Sequence, residues 1–265
     1  MLLCTFFLSS LRSTACNVSI GKAAKDIPPA PYVFLLFFNS EEAREKAYEK
    51  RLSKFVYRHA PRINITFDSV DMSHKYHRDY LVTEYKIKKS PTTLLVSPNG
   101  TILLRSSEYL KNETIKDILI SPGRKKIAKQ LKEHMAVVVF AVKDPEKKKK
   151  HIQSIVKEAQ GLSKIMLNGS RLGQTILSLD DKREKWLYKF MKIPEKPDKK
   201  MYMTVIFGNG KSMEAFAGTV KKNDVLDYVQ LLSHPCGCNM NWNWFQDLLL
   251  PIAFGEKEGN ENQNE

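Results

Sequence analysis

Cysteine is the first scarcity. Four occur among 265 residues, too few to staple a disulfide scaffold. They stand at Cys4, Cys16, Cys236 and Cys238, so no pair has the Cys-x-x-Cys spacing of a dithiol redox centre. No apolar run reaches the roughly 20 residues that a membrane span needs. Zinc-finger spacing, a phosphate-binding loop and an aromatic-interleaved basic stripe are all missing. Acidic residues are outnumbered, 29 Asp and Glu against 43 Lys and Arg, giving a formal charge of +14. Such a balance suits acidic partners. With no nucleic-acid motif beside it, the charge reads as a solvated basic surface, and no nucleic acid is expected.

What is present is a globular pattern. Hydrophobic residues make up 42% of the chain, and apolar segments alternate with charged ones over a length that suits about two domains. The amino terminus is an expected leader. Met1 to Leu11 is a short apolar run, and Ser13-Thr14-Ala15-Cys16 follows with small residues, as in a secretory cleavage site or a bacterial lipobox. No Lys or Arg precedes the run, and Ser13 stands where a lipobox usually has leucine. The expectation is export, to a periplasm or to a membrane surface through a lipidated Cys16; the alternative is an ordinary apolar first strand.

From Pro28 one plan is read twice. Tyr32 to Phe38 is a continuous apolar strand of the kind buried on both faces. A helix is expected from Glu41 to His59, capped by Asn39 or Ser40. Ile63 to Val70 is a strand and His74 to Tyr85 a helix. Ser90-Pro91-Thr92 then enters the strand Thr92 to Val96, and Pro98-Asn99-Gly100 turns the chain into Thr101 to Arg105. A helix near Asn112 is interrupted at Ser121-Pro122-Gly123. The second round runs through a strand at Met135 to Val142, a helix opened by Asp144-Pro145, a strand at Thr175 to Leu179 and a helix around Trp186 to Met191. It ends with the strand Met201 to Phe207, its partner Ala215 to Val220, and a helix at Asn223 to Leu232. The order is α/β, with mixed sheets. The divisions are 1–24 for leader and linker, 25–122 and 135–233 for the domains, and 123–134 for a helical connector. Residues 234–254 form a Cys-Gly-Cys and aromatic segment, expected to dock on the second domain as a short helix stopped by Pro251, and 255–265 a disordered tail.

Proline cannot donate to a sheet ladder, so at the mouth of a central strand it is a specific device. With Val70-Asp71 before it and Asn99-Gly100 after it, Ser90-Pro91-Thr92 resembles the cis-proline loop of thioredoxin-like domains. The chain as a whole is similar to two such domains in tandem, each a central mixed sheet flanked by helices. Phe207-Gly208-Asn209-Gly210, Phe216-Ala217-Gly218 and Asp224 carry the likeness in the second unit. The resemblance implies that Ser90, Pro91 and Thr92 form a peptide-binding loop. It also implies a dithiol where this chain reads Asn39-Ser40-Glu41-Glu42 and Lys143-Asp144-Pro145-Glu146. Neither position has a cysteine, so the usual exchange chemistry has no thiolate there. Ser40 reads as a helix cap. The second unit has Met201 where the first has its proline.

One cluster retains chemistry. In Ser233-His234-Pro235-Cys236-Gly237-Cys238-Asn239-Met240, two thiols, an imidazole and a thioether form a soft ligand set for copper(I), with zinc second. The two cysteines also allow a strained, readily reduced disulfide, or an inert pair. His74 and His77 read as solvated. The leading expectation is a non-catalytic binding or assembly protein of the cell envelope that meets a protein or peptide and needs no cofactor. The alternatives are a thiol oxidoreductase using Cys236 and Cys238, and a copper-binding protein using those residues with His234 and Met240.

Overall fold

The computed structural model describes residues 18–60, 63–167, 169–236 and 240–250, with the side chains of 75–79, 165–166 and 243 excepted. A short helix α1 (Ile20–Asp26) precedes the first unit: β1 (Tyr32–Phe38), α2 (Ala43–His59), β2 (Ile65–Asp71), α3 (Lys75–Glu84), β3 (Thr92–Val96), β4 (Ile102–Ser106) and α4 (Asn112–Leu119). The second unit has α5 (Pro122–Glu133), β5 (Ala136–Val142), α6 (Pro145–Met166), β6 (Leu172–Ser178), α7 (Lys185–Phe190), β7 (Met201–Phe207), β8 (Lys211–Ser212), β9 (Phe216–Ala217) and α8 (Lys222–Ser233). A final strand β10 (Gln246–Asp247) comes after a 3-10 turn at Trp242–Trp244.

The first sheet has the order β2-β1-β3-β4. β1 lies parallel to β2 and antiparallel to β3, and β3 turns back into β4. Alternation along β1 explains its unbroken apolar run, because successive side chains face opposite layers. Tyr32, Phe34 and Leu36 join the core that holds Leu52 and Val56 of α2 and Ile115 of α4. Leu35 and Phe37 join a second layer with Val70, Ile87 and Leu94. The second sheet runs β10-β8-β7-β5-β6, with β9 also paired to β7. Its β5–β6 pair is parallel and its β5–β7 pair antiparallel, as in the first. Both sheets therefore have the thioredoxin-like plan, with helices on their faces. No helix among the described residues is long and apolar enough to cross a membrane.

Four segments depart from expectation. Residues 123–134, expected as a helical connector, are helical as most of α5 but belong to the second unit, packing on β5 and β6. Residues 18–24, expected within the leader and linker, fold instead onto the second unit: Ile20 and Ala24 are buried in its core, and Asn209 Nδ2 donates to the Lys25 carbonyl at 2.7 Å. Gly208 (φ +57°) permits this approach, since a Cβ there would lie 2.6 Å from Ala24. The partner expected at Ala215 to Val220 is divided between β8 and β9. The aromatic segment does dock, through the 3-10 turn at Trp242–Trp244 and then an edge strand where a short helix was expected: β10 pairs with β8. Backbone pairing with an open edge outcompetes the few residues available for a helix. The expected tail at 255–265 lies outside the described residues.

The same segment joins the two units. Leu248, Leu249 and Leu250 are buried in one core with Tyr32 of β1 and Val137, Val139 and Ala141 of β5. The Tyr32 hydroxyl donates to the Asp247 carbonyl. Lys211 and Asp247 form a buried ion pair at 2.9 Å, their side chains 4% and 7% exposed. Arg124 of α5 is also fully buried. Its guanidinium donates to the Ile118 carbonyl at 2.6 Å and lies 4.7 Å over the Phe190 ring. Burial lowers its pKa to about 10, although Glu184 favours the charged form.

Candidate functional site

The Ser90–Pro91 peptide is cis, and Pro91 and Thr92 are buried at the mouth of β3. The loop is held from three sides. Thr92 Oγ1 donates to the Lys89 carbonyl at 2.6 Å and lies 3.2 Å from Ser107 Oγ. The Tyr48 hydroxyl of α2 meets Thr93 Oγ1 at 3.0 Å and accepts the Leu110 N–H at 3.2 Å. Ser90 Oγ donates to Glu45 Oε1 at 3.1 Å. Glu45 is a carboxylate on the core face of α2, with Tyr48, Leu52 and Val56 along the same stripe. Its other oxygen, Oε2, accepts the Asn39 N–H at 2.7 Å.

This arrangement replaces the cap expected at Ser40. The helix begins at Ala43, with Glu42 at the N-cap and no side-chain bond from it. Ser40 instead faces β2. Its N–H donates to Asp71 Oδ1 at 3.1 Å, and its hydroxyl lies 3.1 Å from Ser73 Oγ. Ser73 adds two more bonds to the same carboxylate oxygen, from its N–H at 3.0 Å and its hydroxyl at 2.7 Å. Burial alone would raise the Asp71 pKa, but the bonds from Ser40 and Ser73 outweigh it and hold the carboxyl well below the usual range. Asn39-Ser40-Glu41-Glu42, the segment where a dithiol would stand, is thus fixed by two carboxylates. Neither Glu45 nor Asp71 stood out as a site residue in the sequence. The available signal was Glu45, an acid placed where the helical stripe calls for an apolar residue.

The second unit supplies an internal reference. Phe38 aligns with Asp71 and Phe37 with Thr92, while Val142 aligns with both Ser178 and Met201. Met201 therefore occupies the position of Pro91, Lys200 that of Ser90 and Lys143 that of Asn39. Here the Lys143 N–H donates to the Lys200 carbonyl at 3.2 Å. In the first unit the matching N–H goes to Glu45, and among the described residues no backbone group bonds the Ser90 N–H or carbonyl. The first unit has an open peptide edge where the second is closed.

The sulfur cluster is described in part. Cys236 is half-buried and packs with Met240 against the second unit's core, while His234 is exposed. Cys238 and Cys16 lie outside the described residues, as does the rest of the expected leader to residue 17. The Cys236 N–H donates to the Val18 carbonyl at 2.7 Å, and the Ile20 N–H to the His234 carbonyl at 2.9 Å. Ser19 and Pro235 form an antiparallel bridge. No local sequence signal pointed to this pairing of the two ends. Among the described residues no group of three His, Cys, Asp or Glu side chains converges as a metal site.

Beside the Pro91 loop, an open hollow of about 460 Å³ is lined by Arg44, Arg51, Tyr109, Leu110, Lys111, Asn112 and Glu113. Arg44 lies 4.4 Å over the Tyr109 ring and Arg51 5.1 Å over the Tyr48 ring.

No protein-family model and no curated protein sequence matches the chain. Among solved structures it is similar to the first two thioredoxin domains of Saccharomyces cerevisiae Eps1p, at 11% identity over 76% of this chain and 92% of that one, TM-score 0.30. It is likewise similar to the NTD_N/C domain of alkylhydroperoxide reductase AhpF from Enterococcus faecalis, at 12% identity over 78% and 94%, TM-score 0.29. Human ERp44 in its zinc-bound form matches at 12% identity over 82% of this chain and 56% of that one, TM-score 0.31. The thioredoxin-like fold is carried by the strand order and the parallel β1–β2 and β5–β6 pairs.

Proposed function

We propose that this chain is a non-catalytic, thioredoxin-like binding or assembly protein whose first unit captures an extended peptide at Ser90-Pro91-Thr92. The observation that carries the reading is the diversion of the Asn39 N–H to Glu45, which leaves the Ser90 peptide group without a partner among the described residues, beside a segment that has no cysteine. An incoming strand gains backbone hydrogen bonds by pairing with such an edge. Glu45 and Asp71 hold the surrounding segment rigid, so little ordering accompanies binding. The protein acts at the cell envelope after export, in keeping with the leader expected at residues 1–16.

Two assays on the full chain test this. A reduced, carboxymethylated protein serves as an unfolded ligand, and insulin reduction reports thiol exchange. The expected result is saturable binding without insulin turnover, with binding lost in Glu45→Leu, where the Asn39 N–H is released to close onto the Ser90 carbonyl. Insulin turnover that disappears in Cys236→Ser would contradict the reading and favour thiol chemistry at the second unit.

A further inference from the structure

We propose that the hollow between α2 and the start of α4 receives an oxyanion, a carboxylate or a phosphate, carried on a side chain of the captured peptide; this rests on the peptide-capture reading above. The hollow contains Arg44, Arg51 and Lys111 against one carboxylate, Glu113, a surplus of two positive charges. Among the described residues none of these cations has an ion-pair partner.

Both guanidinium groups are ordered in advance. Arg44 stacks on Tyr109. Arg51 stacks on Tyr48 and donates to the Leu110 carbonyl and to Asn112 Oδ1, and among the described residues its Nε–H has no acceptor. Planar cations held against rings lose little freedom when they bind an oxyanion, and their fork geometry suits carboxylate and phosphate alike. The hollow is coupled to the peptide loop through shared residues. Arg44 precedes Glu45, which bonds Ser90, and Tyr48 joins Leu110 of the hollow to Thr93 beyond Pro91. A nucleic-acid strand fits less well, because Tyr48 is buried and Arg44 covers a face of Tyr109, where a base would have to stack.

The test is fluorescence anisotropy of the full chain with three labelled peptides. One alternates valine with glutamate, one valine with glutamine and one valine with phosphoserine, and a labelled oligothymidine is run beside them. The glutamate and phosphoserine peptides are expected to bind about tenfold more tightly than the glutamine peptide. Arg44→Gln, and separately Arg51→Gln, should abolish that advantage while leaving glutamine-peptide affinity unchanged; Arg51→Lys should retain part of it. A stronger effect of phosphoserine would identify phosphate as the favoured group. Equal affinity for the glutamate and glutamine peptides overturns the oxyanion site but leaves peptide capture standing. An acidic-peptide advantage that survives in Glu45→Leu, with no glutamine-peptide binding to the wild-type chain, overturns peptide capture at Ser90 and leaves an independent anion site. Binding of none of the three peptides overturns both. Oligothymidine binding that is stronger than peptide binding and lost in Arg44→Gln overturns the choice of a peptide.

Discussion

The two units share the order, pairing and register of their first three strands, yet they treat the same peptide group in opposite ways. In the second unit the Lys143 N–H bonds the Lys200 carbonyl. At the corresponding place in the first, Glu45 takes the Asn39 N–H and steadies Ser90 through its hydroxyl. The outer edges differ as well: β10 covers β8, while β4 is an edge strand of its sheet. One carboxylate on a helix thus separates a unit with an available Ser90 peptide group from one whose matching group is bonded. The second unit has instead become the anchor. It holds the amino-terminal residues 18–26 and the carboxyl-terminal Leu248 to Leu250, and through them the first unit.

That division predicts a graded set of effects. Leu249 is fully buried in the core common to both units, so Leu249→Ala should cost about 3 kcal/mol. Urea denaturation should show one shifted transition; a loss of less than about 1 kcal/mol would mean that the carboxyl-terminal segment does not join the units. Glu45→Leu removes the acceptor of two hydrogen bonds and should cost about 2 kcal/mol. If peptide affinity stayed intact in that variant, the contrast between open and closed edges would lose its basis. Asp71→Asn should cost about 1 kcal/mol at neutral pH.

Asp71 also gives a pH signature. Its carboxyl titrates lower in the folded protein than in the unfolded chain. Its stabilisation is therefore present above the ordinary aspartate pKa of about 4 and is lost as pH falls through the folded value. Wild type should lose stability more steeply than Asp71→Asn below about pH 4, measured by urea midpoints across the acid range. The smallest effect belongs to Trp244, 78% exposed on the second unit. Trp244→Ala should change stability by less than about 0.5 kcal/mol and leave peptide binding unaltered; a loss of binding would move the ligand to the other unit.

Much of this fold was legible in the sequence because its signals are local. Tyr32 to Phe38, Thr92 to Val96 and Met201 to Phe207 declare themselves as strands by apolar content, and Pro91 and Gly100 mark the turns around β3. The Ser90-Pro91-Thr92 loop could be placed from those marks alone. The chemistry around it could not. Glu45 comes from α2, Asp71 from the end of β2 and Ser73 from the turn after that strand. They meet Asn39, Ser40 and Ser90 only when the sheet is assembled. Ser40 departs for the same reason: a serine before a helix satisfies the local rule for a cap, but its hydroxyl pairs with Ser73, brought in from the turn after β2, and its N–H with Asp71. The docking of residues 18–26 and the β10 edge strand depend on partners distant in the chain, which periodicity does not reveal.

Peptide capture as proposed takes place at the Ser90 group of the first unit and not at its Lys200 counterpart in the second. The most direct measurement is a chemical-shift titration of the uniformly ¹⁵N-labelled full chain with the alternating valine–glutamate peptide. Perturbations are expected at Asn39 to Glu42, Ser90 and Thr92 to Thr93, with Lys143, Lys200 and Met201 unmoved. Perturbations centred on Lys200 and Met201, or on His234 to Met240, would contradict it.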